Sequence, residues 1–332
     1  MRFKKVVRSK IGLLFLLLFS FIYLNNSSLF TKSSEEVPFL LAHRGLAQTF
    51  SMEGIKNDTC TAEHIIEPDH PYLENTIPSM EAAFGAGADI VEFDIKPTKD
   101  GQFAVFHDWT LDCRTNVKGV TKDYTMAELR KIDIGYGYTA DNGKTYPFRG
   151  KGVGLMPSME EVLAYFPEGS FLIHIKSDDP EEGAILAQYL SMLPDKRLSQ
   201  LTVYGGDEPV ALLKKQLPNI RVMSMASLKG CLIPYIAEGW TGYIPSSCEN
   251  TQLHIPEKFA PWLWGWPGKF VKRMENVDTR VIVVAGDGGW SEGFDTVKDT
   301  KRLPSIYSGG IWTNRIDRIA QLYREKNTMV GE

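Results

Sequence analysis

The chain has 332 residues, 43% of them apolar and 23% charged, and a net charge of −4. That composition is ordinary for a globular protein and excludes a disordered or fibrous one. Basic residues are in excess only in the first ten positions, which argues against a nucleic-acid partner.

The chain begins with Arg2, Lys4, Lys5, Arg8 and Lys10, then an apolar run from Ile11 to Leu24. A run of this length suits the core of an export signal and falls short of a comfortable membrane-crossing helix. It reads as a cleaved signal, as an uncleaved anchor, or as a plain apolar N-terminal helix. The first two readings put the rest of the chain outside the cytoplasm, periplasmic or extracellular, with membrane contact only through this segment if it is uncleaved. Residues 1–37 are then signal or anchor plus a polar linker (25–37), and 38–332 form the folded domain. All four cysteines (Cys60, Cys113, Cys231, Cys248) lie in that domain. An even number in an oxidising compartment favours disulfides, and without CxxC spacing a zinc site is disfavoured.

Beyond residue 37, short apolar runs alternate with helical patterns. The runs are Phe39–Ala42, Ile90–Ile95, Phe103–Phe106, Phe171–Ile175, Leu201–Tyr204, Arg221–Ser224, Thr279–Val284 and Gly310–Trp312. Helices are expected from Pro78 to Ala86, after the capping boxes Thr125–Glu128 and Ser158–Glu161, and over Glu181–Leu193 and Asp207–Gln216. Strands alternating with helices predict an α/β fold with a parallel sheet. Eight of them fit a TIM-type (β/α)8 barrel, with a doubly wound sheet as the alternative. No GxGxxG follows the first run, so nothing favours a dinucleotide fold. Residues 46–73 and 133–156 are long insertions, expected as covers over the C-terminal face.

The chemistry shows in where ionisable residues fall. His43 and Arg44 follow the first run, and His107 and Asp108 follow the third. Glu92 and Asp94 alternate within Ile90–Ile95, and His174 and Lys176 within Phe171–Lys176, so each pair faces one side of its strand. Four strands thus end in titratable side chains, which a parallel barrel would gather on one face. Two same-side carboxylates near a barrel core repel each other and cost desolvation. A divalent cation relieves both penalties, and oxygen ligands suit Mg²⁺ or Ca²⁺. Arg44, Lys176 and the cation would hold a phosphate, and two histidines would serve as general base and acid. Gly286–Gly289 lacks calcium-loop spacing and reads as a turn. Asn57-Asp-Thr59 fits a glycosylation sequon.

At these residues the sequence resembles the glycerophosphodiester phosphodiesterase family. The matching stretches are Ala42-His-Arg-Gly45, Glu74-Asn-Thr-Ile-Pro78, Gly87–Asp94, Thr98-Lys-Asp-Gly101, His107-Asp108, Ile173-His-Ile-Lys176 and Gly309–Asn314. The resemblance implies a metal-dependent barrel that hydrolyses glycerophosphodiesters, small-molecule substrates, to glycerol 3-phosphate and an alcohol. It implies His43 and His107 as the acid/base pair, Arg44 and Lys176 as phosphate-binding residues, and Glu92 and Asp94 as metal ligands. Glu74 is a carboxylate at the site, as ligand or orienter.

Three positions depart from the family pattern. His174 stands where the family has a third carboxylate ligand. It is expected to point into the metal site, as a nitrogen ligand or a donor to metal-bound water, with packing inside the barrel as the alternative. The insertion after Gly45 is long and carries Cys60, and Asn314 replaces an Asp. Trp262, Trp264 and Trp266 are candidates for an aromatic substrate wall or for a packed cover. Cys60 in the insertion and Cys113, six residues after His107, both belong near the C-terminal rim. A Cys60–Cys113 bridge is therefore expected, and Cys231–Cys248 by default. Alternative activities are a phospholipase-D-like attack on lysophospholipid or sphingomyelin, and non-catalytic binding of phosphodiesters.

Overall fold

The computed structural model describes residues 2–28, 37–55, 59–288 and 292–330. Asn57 of the sequon and Gly289 of the expected turn lie outside them. The strands are β1 (Leu40–Ala42), β2 (Ile90–Pro97), β3 (Phe103–Val105), β4 (Phe171–Ile175), β5 (Leu201–Gly205), β6 (Arg221–Met223), β7 (Gln252–Pro256), β8 (Arg280–Val284) and β9 (Gly310–Thr313). Eight of them run parallel in the order β6-β5-β4-β2-β1-β9-β8-β7, and β3 pairs with β2 alone. A parallel bridge between Val222 and Thr251 joins the two ends of this path. The result is a nearly closed TIM-type barrel.

Two strand assignments differ from the sequence reading. The third apolar run is not a barrel strand: β3 is antiparallel to β2, with Ile95 opposite Val105 and Pro97 opposite Phe103. Thr98–Gln102 forms the hairpin turn, in which the Thr98 amide donates to the Gln102 carbonyl at 2.9 Å and Gly101 takes φ +75°. The chain therefore doubles back from the rim towards the barrel centre. The eighth parallel strand is β7, whose inward positions carry Gln252 and His254 and so hide the apolar alternation.

Period-two alternation stacks the barrel interior in layers. The lowest holds Leu41, Ile90, Leu172, Ile282 and Trp312, all buried. On β2, Glu92 and Asp94 follow Ile90 on the same side, while Val91, Phe93 and Ile95 join the core beneath the outer helices. Of those helices, Met126–Leu129 and Met159–Tyr165 start at the expected capping boxes of Thr125 and Ser158, each worth about 1 kcal/mol. The Ile77–Ala86 helix is capped by Thr76 and carries Pro in its first turn.

The two insertions, together with residues from the 111–132 stretch between them, build a second core rather than a loose lid. Ala62, Ile65, Leu73, Leu111, Met126, Ile134, Tyr138 and Phe148 bury one another against Ala104 and Phe106 of the β3 segment. Cys60 is bonded to Cys113 across 53 residues, and Cys231 to Cys248 across 17. Two disulfides fit an oxidising, extracytoplasmic compartment.

The stretch expected as a linker from residue 25 begins differently. Asn25 and Asn26 end the Arg2–Asn26 helix, and both side-chain amides donate to the Trp240 carbonyl, at 3.1 and 2.8 Å. Among the described residues no helix is long and apolar enough to cross a membrane.

Each cystine closes a loop and should contribute about 2–4 kcal/mol. In urea titrations the Cys60→Ser/Cys113→Ser and Cys231→Ser/Cys248→Ser variants should each lose that much. A Cys60→Ser/Cys113→Ser variant as stable as the parent would show that the second core stands without its bridge.

Candidate active site and metal centre

Two carboxylates occupy the middle of the site. Glu92 and Asp94 are 0 and 1% exposed, and everything around them supplies positive charge or hydrogen-bond donors. The Arg44 backbone N–H donates to Glu92 Oε2 at 3.0 Å, and the Tyr204 hydroxyl to Glu92 Oε1 at 2.6 Å. Asn75 clasps Asp94 twice: its amide donates to Oδ2 at 3.0 Å and its oxygen accepts from the Asp94 N–H at 3.1 Å. Arg44 Nε lies 3.3 Å and Lys176 Nζ 3.8 Å from the Asp94 carboxylate. Burial and the neighbouring Asp94 push the Glu92 carboxyl up to about 8. Burial also opposes ionisation of Asp94, but His107, Arg44 and Lys176 outweigh it and hold that group well below the usual carboxylate range.

The backbone is bent to achieve this. Arg44 (φ +57°), Gly45 (φ +78°) and Asn75 (φ +59°) are all left-handed, a conformation that costs a non-glycine residue about 1–2 kcal/mol. The turn aims the Arg44 N–H at Glu92, and the Asn75 N–H donates back to the Arg44 carbonyl at 3.1 Å. Gly45 is forced for a second reason: a Cβ there would meet Ser79 Oγ at 2.5 Å.

His174 pairs in register with Asp94 on β2 and with Tyr204 on β5. Its Nδ1 donates to Asp94 Oδ1 at 2.8 Å, and its ring stacks on Tyr204 at 4.0 Å. Burial lowers its pKa to about 4, so the imidazole is neutral at pH 7. One atom each from Glu92, Asp94 and His174 lies within 4.8 Å of the others. Two carboxylates and a neutral imidazole form a donor set that suits a divalent cation. Glu74 is not in this group. It lies between two guanidinium groups, Arg44 Nη1 and Arg114 Nη1, each at 3.0 Å.

Two more histidines flank the carboxylates, each oriented through Nδ1. His43 Nδ1 donates to Asn314 Oδ1 at 2.6 Å, and its Nε2 lies 3.9 Å from Glu92. Asn314 in turn donates to Asp295 at 2.8 Å. His107, carried in by the β3 hairpin, donates from Nδ1 to Asp108 at 2.8 Å and accepts from Lys176 Nζ on Nε2 at 3.0 Å. Burial and the Arg44 charge lower the pKa of both rings. Arg114 grips Asp108 at 2.8 Å and also donates to Thr61 and to the Tyr138 hydroxyl. Because Thr61 and Arg114 directly follow Cys60 and Cys113, the cystine fastens both ends of this network.

Four residues of the site escaped the sequence reading. Tyr204, Asp295, Arg114 and Trp312 lie on a strand end, in a loop, beside a cysteine and in the barrel floor. Tyr204 and Trp312 had a signal, since each closes an expected strand. Of the two readings for the three tryptophans, substrate wall or packed cover, Trp264 and Trp266 follow the second. Trp264 Nε1 donates to the Ile236 carbonyl, Trp266 packs on Phe270 and Tyr307, and Trp262 is 81% exposed. The aromatic ring beside the histidines is Trp312, 4.8 Å from His43.

A cavity of about 250 Å³ opens next to His43, lined by Arg44, Phe50, Met52, Glu74, Asp295 and Asn314 among others. Arg44 Nε is buried against the Asp94 carboxylate at 3.3 Å, an ion pair that lacks hydrogen-bond geometry.

Residues 43–192 match the sequence pattern of the glycerophosphoryl diester phosphodiesterase family. A glycerophosphodiester phosphodiesterase of Bacillus altitudinis is 39% identical over 106 residues, 32% of this chain and 40% of that protein. One from Bacillus subtilis is 40% identical over 114 residues, 33% of this chain and 38% of that protein. The chain thus spans about 40% of the length of these relatives. Among solved structures, the glycerophosphoryl diester phosphodiesterase domain of a Mycobacterium tuberculosis protein superposes with TM-score 0.61 at 15% identity, covering 86% of this chain and 98% of that one. A phosphodiesterase of Oleispira antarctica, solved with the product sn-glycerol-3-phosphate, gives 0.55 at 17% identity, covering 87 and 97%. At these identities the structural likeness is one of fold.

The Asp108–Arg114 pair makes a pH prediction. Burial alone would raise the Asp108 carboxyl, but Arg114 holds it below the usual carboxylate range. The unfolded chain therefore takes up this proton first, and the stabilisation is lost as pH falls through about 3.9 towards the lower folded value. Asp108→Asn should flatten the fall in stability below about pH 4, measured by urea unfolding across pH. An unchanged slope would remove Asp108 from the acid limb.

Proposed function

Because the chain belongs to the glycerophosphodiester phosphodiesterase family, we propose that it hydrolyses glycerophosphodiesters to glycerol 3-phosphate and an alcohol, with a divalent cation held by Glu92, Asp94 and His174. The observation that carries the reading is the pair of histidines. Each is oriented through Nδ1, by Asn314 or Asp108, with Nε2 beside the carboxylate–arginine–lysine cluster.

The phosphate is held by the guanidinium of Arg44 and by Lys176. A bound Ca²⁺ or Mg²⁺ supplies charge neutralisation at the phosphoryl oxygens and relieves the repulsion between Glu92 and Asp94. His43, neutral and donating from Nδ1, keeps a lone pair on Nε2 and takes the proton of the attacking oxygen. His107, protonated on Nε2 as the imidazolium that Asp108 stabilises once Lys176 turns from it to the phosphate, gives that proton to the leaving alcohol oxygen. Glu74 orients Arg44 and Arg114, and the cavity beside His43 admits the substrate. The protein acts outside the cytoplasm, the compartment its cystines fit.

Product analysis tests this reading. Glycerol 3-phosphate should appear from a panel of glycerophosphodiesters. Free head group from lysophospholipid or sphingomyelin, with none from that panel, would favour the phospholipase-D-like activity instead. Purified, folded His43→Ala and His107→Ala should lose roughly 10²–10⁴-fold in turnover. Near-parental turnover in either would take that histidine out of the acid/base pair.

His174 makes a separate prediction. Where the family pattern has a carboxylate, a neutral imidazole removes one negative charge and weakens the hold on a hard cation such as Ca²⁺. To ligate through Nδ1 it must also give up the proton it shares with Asp94. His174→Glu should therefore tighten Ca²⁺ and Mg²⁺ binding in calorimetric titration and reduce its dependence on pH. Unaltered affinity and pH dependence would leave His174 as a packing residue stacked on Tyr204.

A further inference from the structure

The apolar run of the N-terminal helix is bare on every side. Leu14, Phe15, Leu16, Leu17 and Phe19 point in successive directions around it, and each is more than half exposed. A helix apolar all round belongs in apolar surroundings, yet the barrel leaves this one uncovered and grips only its end. Lys269 Nζ donates to the carbonyls of Leu24 and Asn25 at 2.6 and 3.0 Å. Arg273 donates to the Asn25 carbonyl and to Asn26 Oδ1 at 2.9 and 3.0 Å. Cationic donors on the last carbonyls are where a helix dipole favours them. The approach is close enough that a Cβ on Gly242, which has φ +92°, would come within 3.1 Å of Asn25 Nδ2.

The flank of the barrel around this joint is itself apolar. Ile233, Ile236, Tyr243, Phe259 and Trp262 are 51–81% exposed. The bond from Trp264 to the Ile236 carbonyl ties the Trp262 loop to the Met225–Glu238 helix. That helix leads directly into Trp240, which accepts from Asn25 and Asn26. Trp and Tyr are the side chains that favour a membrane–water interface. Arg2, Lys4, Lys5, Arg8 and Lys10 complement anionic headgroups. At 1.5 Å per residue the apolar run is about 21 Å long, too short to cross the hydrocarbon layer.

We propose that the N-terminal helix is retained in the mature protein and that, with the flank centred on Trp262, it forms one surface that seats the barrel on an anionic lipid bilayer. The helix sinks beneath the headgroups without crossing, and Trp262, Tyr243 and Phe259 rest among them. Lys269 and Arg273 fix the helix to the barrel, so helix and flank meet the bilayer together.

The test uses the full chain recovered from cells that export it and vesicles of phosphatidylglycerol and phosphatidylcholine with brominated acyl chains. The intact mass should include residues 2–26, the protein should float with the vesicles, and bromine should quench its tryptophan emission. Trp262→Phe, remote from the catalytic residues, should still float and fold but lose most of that quenching. A mass that begins beyond Asn26 would overturn the proposal. So would a chain that stays at the bottom of the gradient, alone or self-associated, or a Trp262→Phe variant quenched as much as the parent.

Discussion

The structure turns on two carboxylates buried side by side. Glu92 and Asp94 share one face of β2 inside a nearly closed barrel, where an uncompensated pair of negative charges could not persist. Everything nearby answers that constraint. The left-handed turn at Arg44 and Gly45 brings in a backbone N–H and a guanidinium, Asn75 clasps Asp94, and Tyr204 donates to Glu92. Lys176 and the imidazole of His174 complete the ring on the β4 side. Such an arrangement leaves the pair poised between compensation by protein groups and compensation by a cation. The opposed directions of the two carboxyl pKa values express the same tension.

The two site histidines, His43 and His107, depend on that centre and on a second layer that the barrel alone does not supply. His107 reaches the site because β3 turns back towards the centre, and Asp108 and Arg114 hold it there. Arg114 is anchored by the insertion core, by Glu74 and by the cystine one residue away. The long insertions are thus the packed wall that positions one of the two histidines. His43 is set independently, by Asn314 and Asp295 at the end of β9.

Much of this was legible in the sequence, and what was not has physical reasons. Alternation within Ile90–Ile95 and Phe171–Lys176 revealed the inward faces of β2 and β4, because a strand has period two whatever its surroundings. The third apolar run carries no record of its direction, so an antiparallel hairpin passed for a barrel strand, although the residue it delivers to the carboxylate cluster, His107, stands out in the sequence at the end of that run. β7 was missed because Gln252 and His254 occupy its inward positions and Pro256 ends it. Arg114 and Asp295 act through contacts made by residues far away in sequence, which no local pattern records. The tryptophans near residue 264 suggested a substrate wall or a packed cover by type alone, and the ring beside His43 is instead Trp312, in the barrel floor.

The central claim is that Glu92, Asp94 and His174 together hold a divalent cation beneath the two histidines. Anomalous diffraction from crystals soaked in Mn²⁺ and glycerol 3-phosphate tests it most directly. The account predicts one strong peak bonded to a Glu92 oxygen, an Asp94 oxygen and a His174 nitrogen, with the phosphate between that peak and Arg44. A peak elsewhere, or none beside a phosphate held only by Arg44 and Lys176, would contradict it.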